Sequence, residues 1–278
     1  MRLLIFGLGY SASAIADVAR GRGAAVVGTT RDGRGDTIAF DDRASVEREI
    51  AVATHILSSV PPADGADPVL GAYGEWIAHA SAWLGYLSST GVYGDAGGAW
   101  VDESAAIGGG RRVARAEADA AWLTRGARVF RLPGIYGPGR SPLERVASGK
   151  AHRVDLSGQV FSRIHVADIA SGVAAAFDAP PGAYNLSDDA PVPHNDVMEY
   201  AAQLLGVAPP PFVALDELSP MARGFYAENR RVANGKAKRV LGWRPLYPDY
   251  RLGLRALSAT TSPVTASTPP DTAKADQR

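Results

Sequence analysis

The chain has 278 residues, 46% hydrophobic and 21% charged, enough to bury a sizeable core in one large or two small domains. Lys+Arg and Asp+Glu balance at 29 each, so the basic excess of a generic nucleic-acid or anionic-membrane binder is absent. There is no cysteine, which excludes disulfides, thiolate metal sites and cysteine nucleophiles. His55, His79, His152, His165 and His194 are scattered without ligand spacing, so no metal site is expected. Nearly all the positive charge is arginine: Lys150 is the first lysine, and only Lys236, Lys238 and Lys274 follow. No apolar run approaches the ~20 residues of a membrane span. The glycine-interrupted start MRLLIFGLGYS carries no signal-length segment, so a cytoplasmic location is expected.

In chain order, the β-branched and apolar runs at residues 3–6 (LLIF), 25–30 (AVVGTT), 37–40 (TIAF), 55–60 (HILSSV), 84–89 (LGYLSS) and 128–132 (RVFRL) predict strands. Between them, residues 12–20, 73–82 and 112–125 space apolar side chains three and four apart and predict helices. This alternation predicts an α/β fold: a doubly wound parallel sheet of Rossmann type with a smaller C-terminal substrate lobe. The expected division is a dinucleotide-binding domain over 1–137, with 154–178 returning to it, and a lobe over 138–257, where proline and glycine clusters such as GPGRSP loosen the rhythm. Residues 258–278, polar and rich in Ser, Thr and Pro, read as a disordered tail.

The first strand runs into Gly7, Gly9 and Ala12, a GxGxxA pattern that includes Tyr10 and Ser11 and opens a helix. Gly7 permits the tight turn, Gly9 lets the backbone approach a pyrophosphate, and the helix N-terminus offers unpaired N–H groups to the anion. Dinucleotide binding is the functional reading, and a purely structural glycine turn is the alternative. An NAD-preferring site carries an acid at the end of the second strand. Here that place falls on Thr30, followed by Arg31, whose planar fork suits a 2′-phosphate. NADP is therefore favoured over NAD, although Asp32 stands next in the chain and Arg31 also fits a solvated strand end. Asp41 is placed to meet the adenine amino group, or is a surface loop acid. Ser58 and Ser59, at the end of the fourth strand, are further cofactor candidates.

Residues 86–94 (YLSSTGVYG), 130–140 (FRLPGIYGPGR), 163–170 (RIHVADIA), 184–192 (YNLSDDAPV) and 241–250 (LGWRPLYPDY), with the initial GLGYSA, resemble the short-chain dehydrogenase/reductase superfamily in its extended NAD-dependent epimerase/dehydratase branch. The resemblance spans all but the tail. It implies a nicotinamide ring between Ser89 and the segment from Pro133 to Gly134, with Ser89 hydrogen-bonded to the reacting oxygen. It also implies substrate contacts near Thr90, Arg140, Arg163 and His165, a small-molecule substrate, and dimerisation through helices flanking the central strands. Where sugar-nucleotide dehydratases carry an acidic pair, this chain has Thr90 and Gly91, which argues against that reaction.

The YxxxK motif of the family is missing. The family spacing puts its tyrosine at Gly109 and its lysine at Val113; no tyrosine lies between Tyr93 and Tyr136, and no lysine precedes Lys150. The stretch GGGRRVARAEA stands there instead and resembles atypical branches of the superfamily. Presenting a phenolate at pH 7 costs roughly 4 kcal/mol from a reference pKa near ~10, which the lysine would help offset. Arg111, Arg112 and Arg115 are able to hold negative charge but stay protonated. Tyr93, Tyr136 and His165 remain as proton-bearing candidates; the bland alternatives are packing for the tyrosines and a helix start for His165. Asn229, Arg230, Arg231 and Asn234 would line an anionic pocket or simply begin a helix.

Two functions follow. One is an atypical NAD(P)-dependent oxidoreductase or epimerase-like enzyme that moves a hydride between NADP(H) and a small carbonyl, alcohol or sugar-nucleotide. The other is a catalytically impaired dinucleotide-binding redox sensor or interaction protein.

Overall fold

Parallel strands need a crossover over the face of their sheet, and the Ala-rich helices between the apolar runs supply it. The computed structural model describes residues 1–110 and 113–261. Its first half runs β1 (Arg2–Phe6), α1 (Tyr10–Gly21), β2 (Ala25–Thr30), β3 (Ile38–Ala39), α2 (Arg43–Val52), β4 (His55–Ser58), α3 (Pro68–His79), β5 (Trp83–Ser89), β6 (Trp100–Val101), α4 (Val113–Thr124) and β7 (Arg128–Leu132). The second runs β8 (Gly134–Tyr136), α5 (Pro142–Ala147), β9 (Arg163–His165), α6 (Val166–Ala175), β10 (Gly182–Asn185), α7 (His194–Leu205), α8 (Pro220–Tyr226), β11 (Arg231–Val232), α9 (Gly235–Val240) and α10 (Tyr250–Thr261).

The main sheet has seven parallel strands in the order β10-β7-β5-β4-β1-β2-β3. The chain reverses its direction of growth between β1 and β4, and the crevice beyond the strand ends at such a point is where doubly wound sheets hold ligands. Successive β1 side chains point to opposite faces. Leu3 and Ile5 join Ile15 of α1 and Ile169 of α6, while Leu4 and Phe6 join Val46, Tyr73 and Trp122 on the other side. A separate core of Leu143, Val197, Met198 and Leu254 holds α5, α7 and α10 together as the lobe. Among the described residues no helix is long and apolar enough to cross a membrane.

Several expectations shift. The helix α3 starts at Pro68 rather than at 73, because the Asp67 carboxylate accepts from the N–H groups of Val69 and Leu70, both at 2.9 Å, and proline favours the first turn. Helix α2 was not foreseen, since only Val46 and Ile50 of its ten residues are buried and its apolar stripe is thin. The return to the main sheet runs past 178: β10 pairs with β7 as an edge strand, drawn from the stretch assigned to the lobe. Helix α10 continues to Thr261, into the stretch expected to be a tail; residues 262–278 lie outside the described residues.

The sheet is tied to α4 by a buried ion pair. Arg131 of β7 donates to both carboxylate oxygens of Asp119, at 2.8 and 3.1 Å, and Ser88 of β5 donates to the same carboxylate at 2.6 Å. Asp119 is fully buried and Arg131 is 3% exposed, so removing one partner leaves a charge stranded away from water. Asp119→Ala is expected to lower stability by about 3–5 kcal/mol. Urea unfolding measures this, and a loss below ~1 kcal/mol would contradict it.

Candidate functional site

The turn after β1 is built for glycine. Gly7 has φ 78°, and a Cβ there would lie 2.9 Å from a methyl group of Val60. Its N–H donates to Thr29 Oγ1 at 3.2 Å, and Leu8 N–H donates to Thr29 O at 2.8 Å, which pins the turn to β2. No side chain caps α1 at Gly9, and a Cβ at Gly9 would meet nothing closer than Gly7 O at 4.0 Å. The helix N-terminus therefore opens into free space, as an anion cradle requires. Ala12 is fully buried where α1 meets the sheet, so its side chain packs in the core.

A cavity of about 1520 Å³ extends from this turn across the strand ends to the smaller lobe. Gly7, Gly9, Tyr10, Ser11, Thr30 and Arg31 line its first part; Ser59, Ser89, Thr90 and Pro133 line the middle. Tyr136 and Arg163 also line the cavity, and Arg140 stands over the Tyr10 ring at 5.9 Å. Three cofactor candidates fall outside the lining. Ser58 is fully buried with an unpartnered hydroxyl, Ala12 is packed as described, and Asp41 sits on the exterior, its neighbour Phe40 forming the wall instead.

At the end of β2, the Thr30 hydroxyl is committed to the β2–β3 turn, 2.7 Å from Thr37 Oγ1 and accepting from Arg34 N–H at 3.2 Å. Arg31 and Arg34 both line the cavity, and neither is in an ion pair among the described residues. Sequence reading singled out only the first; the repeat of arginine three positions on, in RDGRG, was the available signal.

Ser89 lines the cavity while its Oγ accepts from Gly91 N–H at 3.1 Å, so it caps the short turn that follows β5. Its hydroxyl hydrogen is left to donate elsewhere. Tyr93 does not face the cavity. Its hydroxyl donates to Asn185 Oδ1 at 2.7 Å and accepts from Arg131 at 3.0 Å, inside the buried network beneath β5. Burial raises its pKa above the usual phenol value, with Arg131 and these hydrogen bonds opposing. The Tyr136 ring borders the cavity, but its hydroxyl is buried without a partner and packs toward Gly253 of α10. Burial, with Asp188 and Asp168 adding to it, pushes that phenol far upward and suits it poorly to proton exchange. His165 is also outside the lining: it caps α6, with Nδ1 accepting from Ala167 N–H at 3.2 Å, and burial lowers its pKa to about 4. These three side chains support the fold where the sequence allowed them a chemical role.

Where the missing motif would stand, Gly109 has open space around it and Val113, the first residue of α4, is exposed. Arg111 and Arg112 lie outside the described residues. Arg115 turns into the cavity and donates to Tyr86 Oη at 3.0 Å and to Leu87 O at 3.4 Å. Of the NRRVAN run, Arg230 and Val232 line the cavity, Arg230 paired with Glu228 at 2.9 Å. Asn229, Arg231 and Asn234 instead bond to backbone carbonyls of Gly158, Gly98 and Ser187. Sequence reading missed the lobe wall of Arg145, His152, Phe161, His194 and Tyr226. Nothing local in the chain connects these residues. No group of three or more His, Asp or Glu among the described residues could hold a metal ion.

No protein-family model matches the chain. It is 32% identical over 156 residues to a 3-diazoavenalumate denitrifying reductase from Streptomyces sp., covering 52% of this chain and 51% of that protein. It is 30% identical over 188 residues to Protein YeeZ from Escherichia coli K12, covering 62% and 61%. The matches thus span between half and two thirds of these curated relatives. Among solved structures, a conserved protein of unknown function from Silicibacter pomeroyi DSS is 42% identical over 94% of this chain and 99% of its own, with a TM-score of 0.85. The human epimerase family protein SDR39U1, solved with NADPH, shares the fold at 16% identity and TM-score 0.72, covering 93% and 99% of the two chains. So does the UDP-glucose 4-epimerase of Thermus thermophilus, solved with NAD, at 21% identity and TM-score 0.69, covering 93% and 99%.

Two outcomes are expected. Gly7→Ala, strained at positive φ and crowded by Val60, should abolish dinucleotide binding measured by calorimetry while leaving a folded far-UV spectrum. Because burial holds His165 neutral to about pH 4 while an unfolded histidine protonates near ~6.5, its contribution to stability is present above pH 6.5 and is lost as pH falls toward 4. His165→Asn keeps a capping oxygen and should flatten this acid limb of the urea-midpoint profile; an unchanged slope would contradict the assignment.

Proposed function

By sequence this chain belongs to one family with the Silicibacter protein, and it shares the fold of SDR39U1 and the Thermus epimerase; from that premise we propose that it is a member of the extended short-chain dehydrogenase/reductase superfamily that binds NADP(H) and acts as a reductase or epimerase-like enzyme on a small substrate. The observation that carries the reading is the continuous cavity, which joins an uncapped helix N-terminus and a paired-arginine strand end to Ser89 and the lobe.

A bound reduced nicotinamide supplies the hydride, a step that protein side chains cannot perform. The chain's part is to hold and orient. The first turn of α1 receives the pyrophosphate. Arg31 and Arg34 present two guanidinium groups where a 2′-phosphate belongs, and Asp41 is not among the residues that line the cavity. Ser89 donates its free hydroxyl hydrogen to the reacting oxygen. Arg115 adds a fixed positive charge beside Leu87 and Ser89 without relaying a proton. A reductase among the relatives supports hydride transfer as the chemistry, and the solved complexes with NADPH and NAD support the cofactor class.

The second reading, a dinucleotide-binding sensor, is favoured by one observation: the hydroxyls of Tyr93 and Tyr136 are both turned into the protein. Cofactor thermal shifts and turnover separate the two. NADPH should raise Tm more than NADH, and the Arg31→Ala, Arg34→Ala double variant should erase the difference; equal shifts in the unaltered protein would count against the arginine pair. Ser89→Ala should lower NADPH-dependent turnover at least tenfold with unchanged NADPH affinity. An absence of turnover across a panel of carbonyl and conjugated substrates, with tight NADPH binding, would favour the sensor.

A further inference from the structure

Building on that reading, we propose that the lobe end of the cavity is a subsite for an aromatic carboxylate, with Arg145 holding the carboxylate and Phe161, His194 and Tyr226 receiving the ring. The cavity, at about 1520 Å³, exceeds the ~300–1,000 Å³ of a typical single-ligand pocket. It has room for a second molecule beside a dinucleotide.

The walls at that end are three rings at nearly right angles. Phe161 and Tyr226 stand 5.6 Å apart at 90°, Phe161 and His194 6.3 Å apart at 77°, and His194 and Tyr226 6.4 Å apart at 90°. A planar ring laid against one of them meets the others edge-to-face, the arrangement that aromatic quadrupoles favour. The corner is assembled from four separate pieces of chain: the approach to β9, the start of α7, the end of α8, and α5, which carries Arg145.

The charge in this corner is selective. Arg145 lines the cavity, is exposed to it, and has no ion pair among the described residues. Its cationic neighbours are committed: Arg163 donates to Phe161 O at 2.8 Å and Val192 O at 3.2 Å, and Arg230 is paired with Glu228. Arg140 stands over the Tyr10 ring at 5.9 Å, on the side of the nucleotide cradle. Burial, with the positive charges of Arg163 and Arg145 and neighbouring His152, lowers the His194 pKa to about 3, so it offers a neutral ring in a positive field. One unpaired planar guanidinium matches one carboxylate through two parallel hydrogen bonds. A nucleoside diphosphate would need more than one free cation and open acceptors for its ribose hydroxyls. Here the carboxylate of Glu144 already accepts from the N–H groups of Gly139 and Ser141, and Glu228 is paired.

Calorimetric titration of the full chain, with and without saturating NADPH, tests the subsite with cinnamate, methyl cinnamate, cyclohexanecarboxylate and UDP-glucose. Cinnamate should bind at least tenfold more tightly than its methyl ester and than cyclohexanecarboxylate. Arg145→Gln, at an exposed position that leaves the core untouched, should reduce cinnamate to the affinity of the ester and leave the ester unchanged. Tyr226→Leu should weaken acid and ester alike. Equal affinity for acid and ester, an acid preference that survives Arg145→Gln, or tighter binding of UDP-glucose than of cinnamate would each overturn the assignment. Acid-selective binding without any NADPH binding would preserve the subsite and overturn the cofactor reading, whereas NADPH binding without acid selectivity would do the reverse.

Discussion

The positions of the strand ends depend on a pair of opposite charges buried together. Asp119 and Arg131 are both sealed beneath β5 and β7, and the desolvation of each is tolerable only while the other is present. Ser88, Tyr93 and Asn185 complete the set, so that β5, β7, β10, α4 and the turn after β5 meet in one hydrogen-bonded unit. Asn185 extends it further, donating through Nδ2 to Ala233 O at 3.0 Å and through its backbone N–H to Glu103 at 2.7 Å. Ser89 follows Ser88 directly and emerges from this unit into the cavity. The alternation of a strand sends one serine inward to the carboxylate and the next outward to the ligand space.

That arrangement explains why chemistry was hard to read from the chain. The glycine turn was legible because its demands are local: a positive φ at Gly7, an uncapped helix start, and a buried Ala12 all follow within six residues of β1. The parallel sheet was legible for the same reason where an apolar run is followed by a helical crossover, as after β1, β4 and β5. Tyr93 and Tyr136 were not, since the direction of a hydroxyl is fixed by partners far away in sequence. Tyr93 answers to Asn185 and Arg131, and Tyr136 is pressed between His165 and α10. The strand β10 escaped for a related reason: four residues with a single run of burial do not distinguish an edge strand from a lobe segment until β7 is there to pair with them.

The lobe illustrates the opposite limit. Its ring corner joins residues from 145 to 226, held together by packing of α5 against α7 and by the loop that brings Phe161 to Val192 through paired backbone hydrogen bonds of 2.9 and 3.2 Å. Each residue is unremarked in isolation. Asp168 serves the same assembly from the other side, accepting from the N–H groups of Leu246 and Tyr247 at 2.6 and 3.1 Å and fastening the segment before α10 to α6. A buried carboxylate used this way explains the RIHVAD motif as a joint between α6 and the segment before α10, with His165 capping the helix that carries it.

The preference for arginine over lysine then acquires a physical meaning at one place. In the family pattern a lysine ammonium can lower a phenol's pKa and pass on its own proton, whereas Arg115, which lines the cavity and donates to Leu87 O, brings a guanidinium, a group that does not relay protons. It places positive charge at the strand ends. With both candidate phenols buried in structural contacts, the electrostatics of the cavity favour holding an anion over driving a proton transfer. Under the reductase reading proposed above, the fitting acceptors are those that disperse developing charge within themselves, so that the protein needs only to bind, orient and exclude water.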